Sequence, residues 1–165
     1  MSAKRILKHL FTPHWIVYRA FPRPALKRIE QAIGASEKTH DSELRFAVEA
    51  GLDFLPLVKG ISPRQRARQV FSQLGVWDTE HNSGVLIYVQ LVDRRIEIIA
   101  DRGITAKVDQ EAWDAICRRM EQSFRTGQFE AGVLQGIAEI TTLMARHFPP
   151  RGSNPDELPN RPVVL

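Results

Sequence analysis

Oxygen-bearing side chains stand at the borders of the apolar segments of this sequence, where they could hold a metal ion. Four of them are the candidate metal ligands: Glu43, Asp78, Asn82 and Asp101. Carboxylate and amide oxygens are the ligands that hard cations such as Ca²⁺ and Mg²⁺ prefer. The four residues are distant in sequence, so they form one site only if the fold brings these borders together.

The same region could also support phosphoryl transfer, with Asp78, Asp101 and Arg102 as the candidate catalytic residues. A metal and Arg102 would hold the phosphoryl group, and one of the two aspartates would act as nucleophile or as the base that activates water. Phosphoryl transfer requires positive charge around the equatorial oxygens, and here one arginine stands among many acids. A metal-assisted phosphomonoesterase is therefore the alternative to a metal-binding domain without catalysis.

Two apolar runs in the middle of the chain predict a buried β-hairpin. Residues 85–92 are apolar on both faces, which is typical of a strand covered on both sides. Residues 96–100 are rich in isoleucine, and the charged turn 93–95 joins the two runs. A hairpin buried in this way needs helices on both faces of its sheet.

The rest of the chain predicts one more strand and four helices. Residues 43–49 alternate apolar and charged side chains, which indicates a strand with one solvent-exposed face. Helices are expected over residues 24–38, from Pro63 after a capping box at Ser62 and Gln65, from Asp109, and up to Phe148. A right-handed crossover makes the first two strands parallel, so the expected fold is α/β, a three-layer α/β/α sandwich with a small mixed β-sheet.

This topology brings the candidate ligands to one rim of the sheet. The first two strands begin at that rim, and the third strand ends there. The second of the predicted helices also ends there, with the negative end of its dipole. A site for Ca²⁺ or Mg²⁺ is one interpretation of this rim, and ordinary solvated loop charges are the other. The opposite rim carries Lys59, Arg64, Arg66 and residues 93–95, and it competes as an anion-binding edge.

Positive charge is concentrated at the start of the chain. The 165 residues carry a net charge of +4, yet the first 28 contain seven cations and no acid, which leaves the remainder at −3. We therefore divide the chain into a basic amphipathic arm (1–22), a single domain (23–149) and an extended C-terminal tail (150–165). The arm either packs on the domain or docks on an anionic membrane surface or a membrane protein.

Several classes of function are excluded or disfavoured. A single cysteine, Cys117, rules out an intramolecular disulfide and a Cys-based zinc cluster. Beyond its basic first 28 residues the chain is net acidic, and this does not favour nucleic-acid binding. No run approaches the roughly 18 apolar residues of a membrane span, and no signal-peptide cleavage site is evident, so a cytoplasmic protein, at most peripheral to the membrane, is expected.

The sequence resembles the TPM domain family, a phosphatase-type domain, over about residues 24–148, and is most similar to a soluble bacterial branch. The resemblance rests on the Asn-Ser-Gly entry to an apolar strand at 82–87, the turn 93–95, Gly103, and the Gly-Gln-Phe segment 127–129. It implies an α/β/α fold and divalent-cation sites in some members. It also implies acid phosphatase activity in a plant thylakoid-lumen relative and accessory roles at membrane complexes in others.

The sequence therefore favours an accessory or interaction domain that binds a divalent cation and docks on a membrane or membrane protein through residues 1–22. A metal-assisted acid phosphatase is the alternative.

Overall fold

The computed structural model describes residues 3–152 and 157–165, which contain eight α-helices, one 3-10 turn (Glu37–Thr39) and four β-strands. In chain order the elements are α1 (Ala3–Leu10), α2 (Ile16–Ala20), α3 (Arg23–Ser36), β1 (Glu43–Glu49), α4 (Phe54–Val58), α5 (Pro63–Gln73), β2 (Gly84–Gln90), β3 (Arg95–Ala100), α6 (Arg102–Thr105), α7 (Gln110–Arg125), α8 (Phe129–His147) and β4 (Val163–Val164).

The four strands form one mixed sheet in the order β3-β2-β1-β4. β1 and β2 are parallel, with Glu43 opposite Gly84, and β3 returns antiparallel to β2. The parallel pair and the hairpin confirm the topology predicted from the sequence. β4 was not predicted: it lies in the expected C-terminal tail and pairs in parallel with β1 at Ala47 and Val48.

Two apolar cores on opposite faces of the sheet make the three layers. Leu44, Phe46 and Val48 point into the larger core, which α2, α3, α7 and α8 complete. On the other face, Leu86 and Tyr88 pack against α5 and against Leu158 of the tail. The predicted α/β sandwich is therefore confirmed, with one layer partly supplied by the C-terminal segment.

The charged face of β1 differs from the expectation. Alternation predicted that its charged side chains face solvent, but all seven residues of the strand are buried. The tail and α5 cover this face, so Glu43, Arg45 and Glu49 are all less than a tenth exposed. Three ionisable side chains of one strand must therefore find their partners inside the protein.

The described part of the arm packs on the domain. Val17 and Phe21 are fully buried, and the Phe21 ring contacts Phe46 edge-on at 5.6 Å between centroids. Arg5 donates hydrogen bonds to the Asp93 carboxylate, of which the shortest, from Nη2, is 2.7 Å long. Residues 1–2 of the arm and residues 153–156 of the tail lie outside the described residues. No described helix is long and apolar enough to cross a membrane.

Candidate functional site

The rim predicted to hold the metal is assembled by backbone hydrogen bonds between three strands. The Glu43 N–H donates to the Ser83 carbonyl at 3.2 Å, and the Asp101 N–H donates to the Gly84 carbonyl at 2.9 Å. The start of β1, the start of β2 and the end of β3 therefore meet, as the topology required. Residues 78–82 form the loop that enters β2 above this rim.

Two glycines allow the loop to lie close to the strands. A Cβ on Gly84 would stand 1.8 Å from the Val76 carbonyl oxygen, and one on Gly103 would stand 2.6 Å from the His81 carbonyl oxygen. Both distances are far inside van der Waals contact with backbone atoms that cannot move aside. The glycines that entered the sequence resemblance therefore have a packing reason, which is to seat residues 76–82.

Asn82, Asp101 and Arg102 form a connected polar group on this rim. Asn82 adopts a left-handed backbone conformation with φ of 52°, and its Oδ1 accepts a hydrogen bond from Arg102 Nε at 2.8 Å. Asp101 is the N-cap of α6, where its Oδ1 accepts from the Arg102 N–H at 2.7 Å. Its other oxygen, Oδ2, is buried and has no hydrogen-bond partner among the described residues.

The other two predicted ligands lie in different surroundings. Glu43 is buried, and its Oε2 accepts a hydrogen bond from the Leu158 N–H at 3.1 Å. Asp78 is exposed, and its backbone N–H bonds the Gly75 carbonyl. Within residues 3–152 and 157–165, no three His, Cys, Asp or Glu side chains form a group that could hold a metal ion. The structure thus joins Asn82 and Asp101 but not the complete predicted set.

The C-terminal tail covers this rim, which the sequence did not indicate. Both carboxylate oxygens of Asp41 accept from the Arg151 N–H, the closer at 3.0 Å, and the Glu157 carboxylate accepts from the Glu80 N–H at 2.9 Å. Leu158 is buried beside them. Apolar residues spaced through a proline-rich tail were the only available signal, and they do not specify a docking position.

On the opposite rim, Arg66 belongs to a closed ionic network, whereas Lys59, Arg94 and Arg95 are exposed. Arg66 donates to both Glu49 oxygens, with Nη2 to Oε1 at 2.7 Å and Nε to Oε2 at 3.1 Å. The Tyr88 hydroxyl donates a hydrogen bond to the same carboxylate. Burial, and then the neighbouring Glu49 charge, raise the pKa of Tyr88 far above its usual range. These groups satisfy one another inside the protein.

Most of the exposed large apolar side chains belong to the arm and to α4, and we call this set the arm surface. It consists of Leu7, Leu10, Phe11, Trp15 and Tyr18 from the arm together with Phe54 and Val58 of α4. α1 and α4 are in contact, and Leu10 and Phe54 line the same shallow cavity of about 230 Å³. Only Trp77, among the exposed large apolar side chains of the described chain, lies elsewhere.

Comparison with known proteins identifies a family and a shared fold. The family model of the TPM domain matches residues 20–143. The NMR structure of the BA42 protein from the psychrophilic bacterium Bizionia argentinensis is 31% identical with a TM-score of 0.75, covering 85% of this chain and 92% of that one. The N-terminal domain of a P. gingivalis protein shares the fold at 15% identity and a TM-score of 0.61, covering 83% of this chain and 90% of that one. No curated protein matches.

Proposed function

This chain belongs to the TPM domain family, and from that premise we propose that it is an accessory domain which docks on an anionic membrane surface through the arm surface. The observation that carries the proposal is the distribution of exposed large apolar side chains. Seven of the eight found in the described chain lie on the arm surface, and Phe11 is 78% exposed. Exposed apolar groups gathered in this way are typical of an interaction site.

The charge of the arm supports a lipid partner. Its cations have no acidic neighbours in sequence, and Arg19 is exposed between Trp15 and Arg23. Each Lys or Arg held near an anionic bilayer contributes about 1 kcal/mol of binding free energy, and aromatic rings favour the headgroup region. Some arm cations are already used inside the protein, since Arg5 pairs with Asp93. Docking therefore depends on apolar contact as well as on charge.

Vesicle co-sedimentation with two matched tryptophan variants tests this proposal. Trp15 and Trp77 are 61% and 54% exposed, but only Trp15 belongs to the arm surface. We expect the protein to bind phosphatidylserine-containing vesicles and not pure phosphatidylcholine, with binding weakened by salt. Trp15→Ser should weaken binding by at least about tenfold, because losing one large apolar contact costs about 1.5–3 kcal/mol. Trp77→Ser should bind as the wild type does.

Two results would overturn the membrane proposal. One is equal binding of the two serine variants, which would show that the arm surface is not the contact. The other is absence of wild-type binding to anionic vesicles at low salt, together with retention by a membrane protein. In that case the arm surface would serve a protein partner.

A divalent cation on the sheet rim is a second proposed function, supported by the buried Asp101 Oδ2, which lacks a hydrogen-bond partner in the described chain. A weak site, with a Kd of about 10⁻⁴–10⁻³ M for Ca²⁺, would satisfy this oxygen, and Asn82 Oδ1 would join it after giving up its hydrogen bond from Arg102. Calorimetric titration with Ca²⁺ and Mg²⁺ should give heat in the wild type and none in Asp101→Asn. Asp109, an exposed N-cap without a side-chain cap bond, supplies the control Asp109→Asn.

The enzyme alternative is tested with Asp101→Asn and with one further variant, Asp78→Asn. The candidate phosphate clamp, Arg102, is already bound to Asn82 through Nε, which supports binding over catalysis. We therefore expect no metal-dependent hydrolysis of p-nitrophenyl phosphate. If the wild type hydrolyses the substrate and folded Asp78→Asn or Asp101→Asn protein does not, the domain is a phosphatase and the binding proposal is wrong.

A further inference from the structure

A groove of about 950 Å³ runs along the edge of the sheet, between α3 and the segment that leads into β4. Its lining combines cations with apolar groups. Arg23, Lys27, Arg45 and Arg161 contribute the positive charge, while Tyr18 and Leu26 are among the apolar and aromatic contributors. Small-molecule sites in proteins have volumes of about 300–1,000 Å³, and this groove has that size with a lining richer in charge than most.

Arg45 distinguishes this groove from an ordinary basic surface. The residue is only 6% exposed, and both its Nε and its Nη1 are buried without a hydrogen-bond partner in the described chain. Burial lowers the pKa of the Arg45 guanidinium, and the charge of Glu37 partly opposes that effect. A buried guanidinium is normally paired, because its desolvation is otherwise uncompensated.

The other charges around the groove leave room for one anion. Glu30 is the acid that lines it, and Glu30 already forms an ion pair with Lys27 at 3.1 Å. Glu37 acts on Arg45 through its charge, and its Oε1 accepts a hydrogen bond from the Leu44 N–H at 2.9 Å. Arg23 and Arg161 are exposed at the margin of the groove. The lining therefore carries an excess of positive charge, with its most buried cation at Arg45.

We propose that this groove binds a small organic carboxylate, with an apolar body along Tyr18 and Leu26 and the carboxylate on the Arg45 guanidinium, reached through Nη2 because Nε and Nη1 are enclosed by the protein. A guanidinium matches the planar geometry of a carboxylate and forms charge-assisted hydrogen bonds with it. A single negative charge suits the site, because one buried cation needs compensation and burying a dianion costs more. The apolar lining then contacts the rest of the ligand.

The probe for this site is 3-phenylpropanoate, titrated into the full chain and followed by calorimetry and by amide chemical shifts. We expect a Kd of about 1 mM, in keeping with the size of the probe. Acetate, which lacks the apolar body, should bind at least about tenfold more weakly. The neutral alcohol 3-phenylpropanol should not bind, because it offers Arg45 no charge.

Variants assign the binding to Arg45. Arg45→Met should weaken the binding of 3-phenylpropanoate at least about tenfold, whereas Arg45→Lys, which keeps the charge, should retain part of it. Arg68→Met changes an exposed arginine of α5 outside the groove lining and should bind as the wild type does. Thermal unfolding of each variant confirms that it is folded.

Two results would overturn binding at Arg45. One is equal affinity of the wild type and Arg45→Met for 3-phenylpropanoate, and the other is absence of wild-type binding at about 10 mM probe. Arg45-dependent binding of phenyl phosphate that is tighter than that of 3-phenylpropanoate overturns the carboxylate assignment. A tripeptide with a free C-terminal carboxylate and its amidated form separate the two sources of the same chemistry. Preference for the free-acid peptide over 3-phenylpropanoate supports the proposal with a chain terminus as the source.

Discussion

Two ionised side chains on β1, four residues apart and similarly buried, differ in what surrounds them. Glu49 is 4% exposed and accepts hydrogen bonds from Arg66 and from the Tyr88 hydroxyl. Arg45 is 6% exposed, yet two of its three nitrogens have no hydrogen-bond partner among the described residues. The protein thus compensates one buried charge fully and leaves the other largely to electrostatic attraction from Glu37.

The position of each residue in the sheet explains the difference. Glu49 lies at the carboxyl end of β1, where the first turn of α5 delivers Arg66 to it. Arg45 lies nearer the other end of the strand, two residues before the pairing of β1 with β4 at Ala47. There the guanidinium borders the groove, and no described residue forms a hydrogen bond with its Nε or Nη1. A closed network stabilises the fold, whereas an incompletely paired charge beside a groove favours a ligand.

The largest effect expected from this comparison comes from opening the closed network. Arg66→Met leaves the Glu49 carboxylate buried without its main partner, because the two groups are joined by a forked pair of hydrogen bonds. Breaking a buried ion pair in this way costs about 3–5 kcal/mol in the free energy of unfolding. Urea unfolding measures the change.

Arg68→Met supplies the control on the same helix. Arg68 is exposed, so this change should alter the free energy of unfolding by less than about 0.5 kcal/mol. A loss below about 1 kcal/mol for Arg66→Met would contradict the comparison, since it would show that Glu49 needs Arg66 no more than Arg45 needs a partner.

A smaller effect is expected from the hydroxyl of the same network. Tyr88→Phe removes one hydrogen bond to the Glu49 carboxylate but leaves Arg66 in place. A hydrogen bond to a charged group contributes about 1.5–3 kcal/mol, so we expect a loss of about 2 kcal/mol at pH 7. The other tyrosine of the chain, Tyr18, is exposed, and Tyr18→Phe should have almost no effect on the free energy of unfolding.

The pH dependence of stability gives an independent test of the same residue. Burial, and then Glu49, raise the pKa of Tyr88 in the folded protein above the value of about 10 expected when unfolded. Its contribution to stability is complete below pH 10 and is lost as pH rises further, because only the unfolded state releases the proton. The fall above about pH 10 should diminish in Tyr88→Phe. An unchanged alkaline profile would place the titration elsewhere.

Much of the fold followed from local patterns. The capping box at Ser62 and Gln65 fixed the start of α5, and the two apolar runs around residues 93–95 fixed the hairpin. Both signals are local, because the capping bonds span three residues and the hairpin joins neighbouring strands. β4 has no such signal: its partner strand is more than a hundred residues away, and its two valines resemble any short apolar stretch.

The candidate sites were predictable only in part. Topology brought Asn82 and Asp101 to one rim as expected, because strand ends are fixed once the strand order is known. Alternation of ELRFAVE assigned Arg45 and Glu49 to solvent, and this was wrong because the tail and α5 cover that face. Sequence alternation reports which face is polar. It does not report whether a distant segment later covers it.

The smallest expected effect on the free energy of unfolding is that of Arg45→Met, at the groove, and it best distinguishes the two buried charges. Arg45→Met removes a buried charge whose hydrogen bonding is incomplete, and Glu37 retains its bond from the Leu44 N–H. Replacing buried ionic groups by apolar side chains is often neutral or stabilising, so we expect a gain of up to about 1 kcal/mol without ligand. A loss of more than about 1 kcal/mol would show that Arg45 is a paired structural cation.

Adding 3-phenylpropanoate at ten times its Kd should stabilise the wild type by about 1.4 kcal/mol and leave Arg45→Met nearly unchanged. The gain of the variant over the wild type should therefore disappear or reverse in the presence of the ligand, whereas the deficit of Arg66→Met should persist.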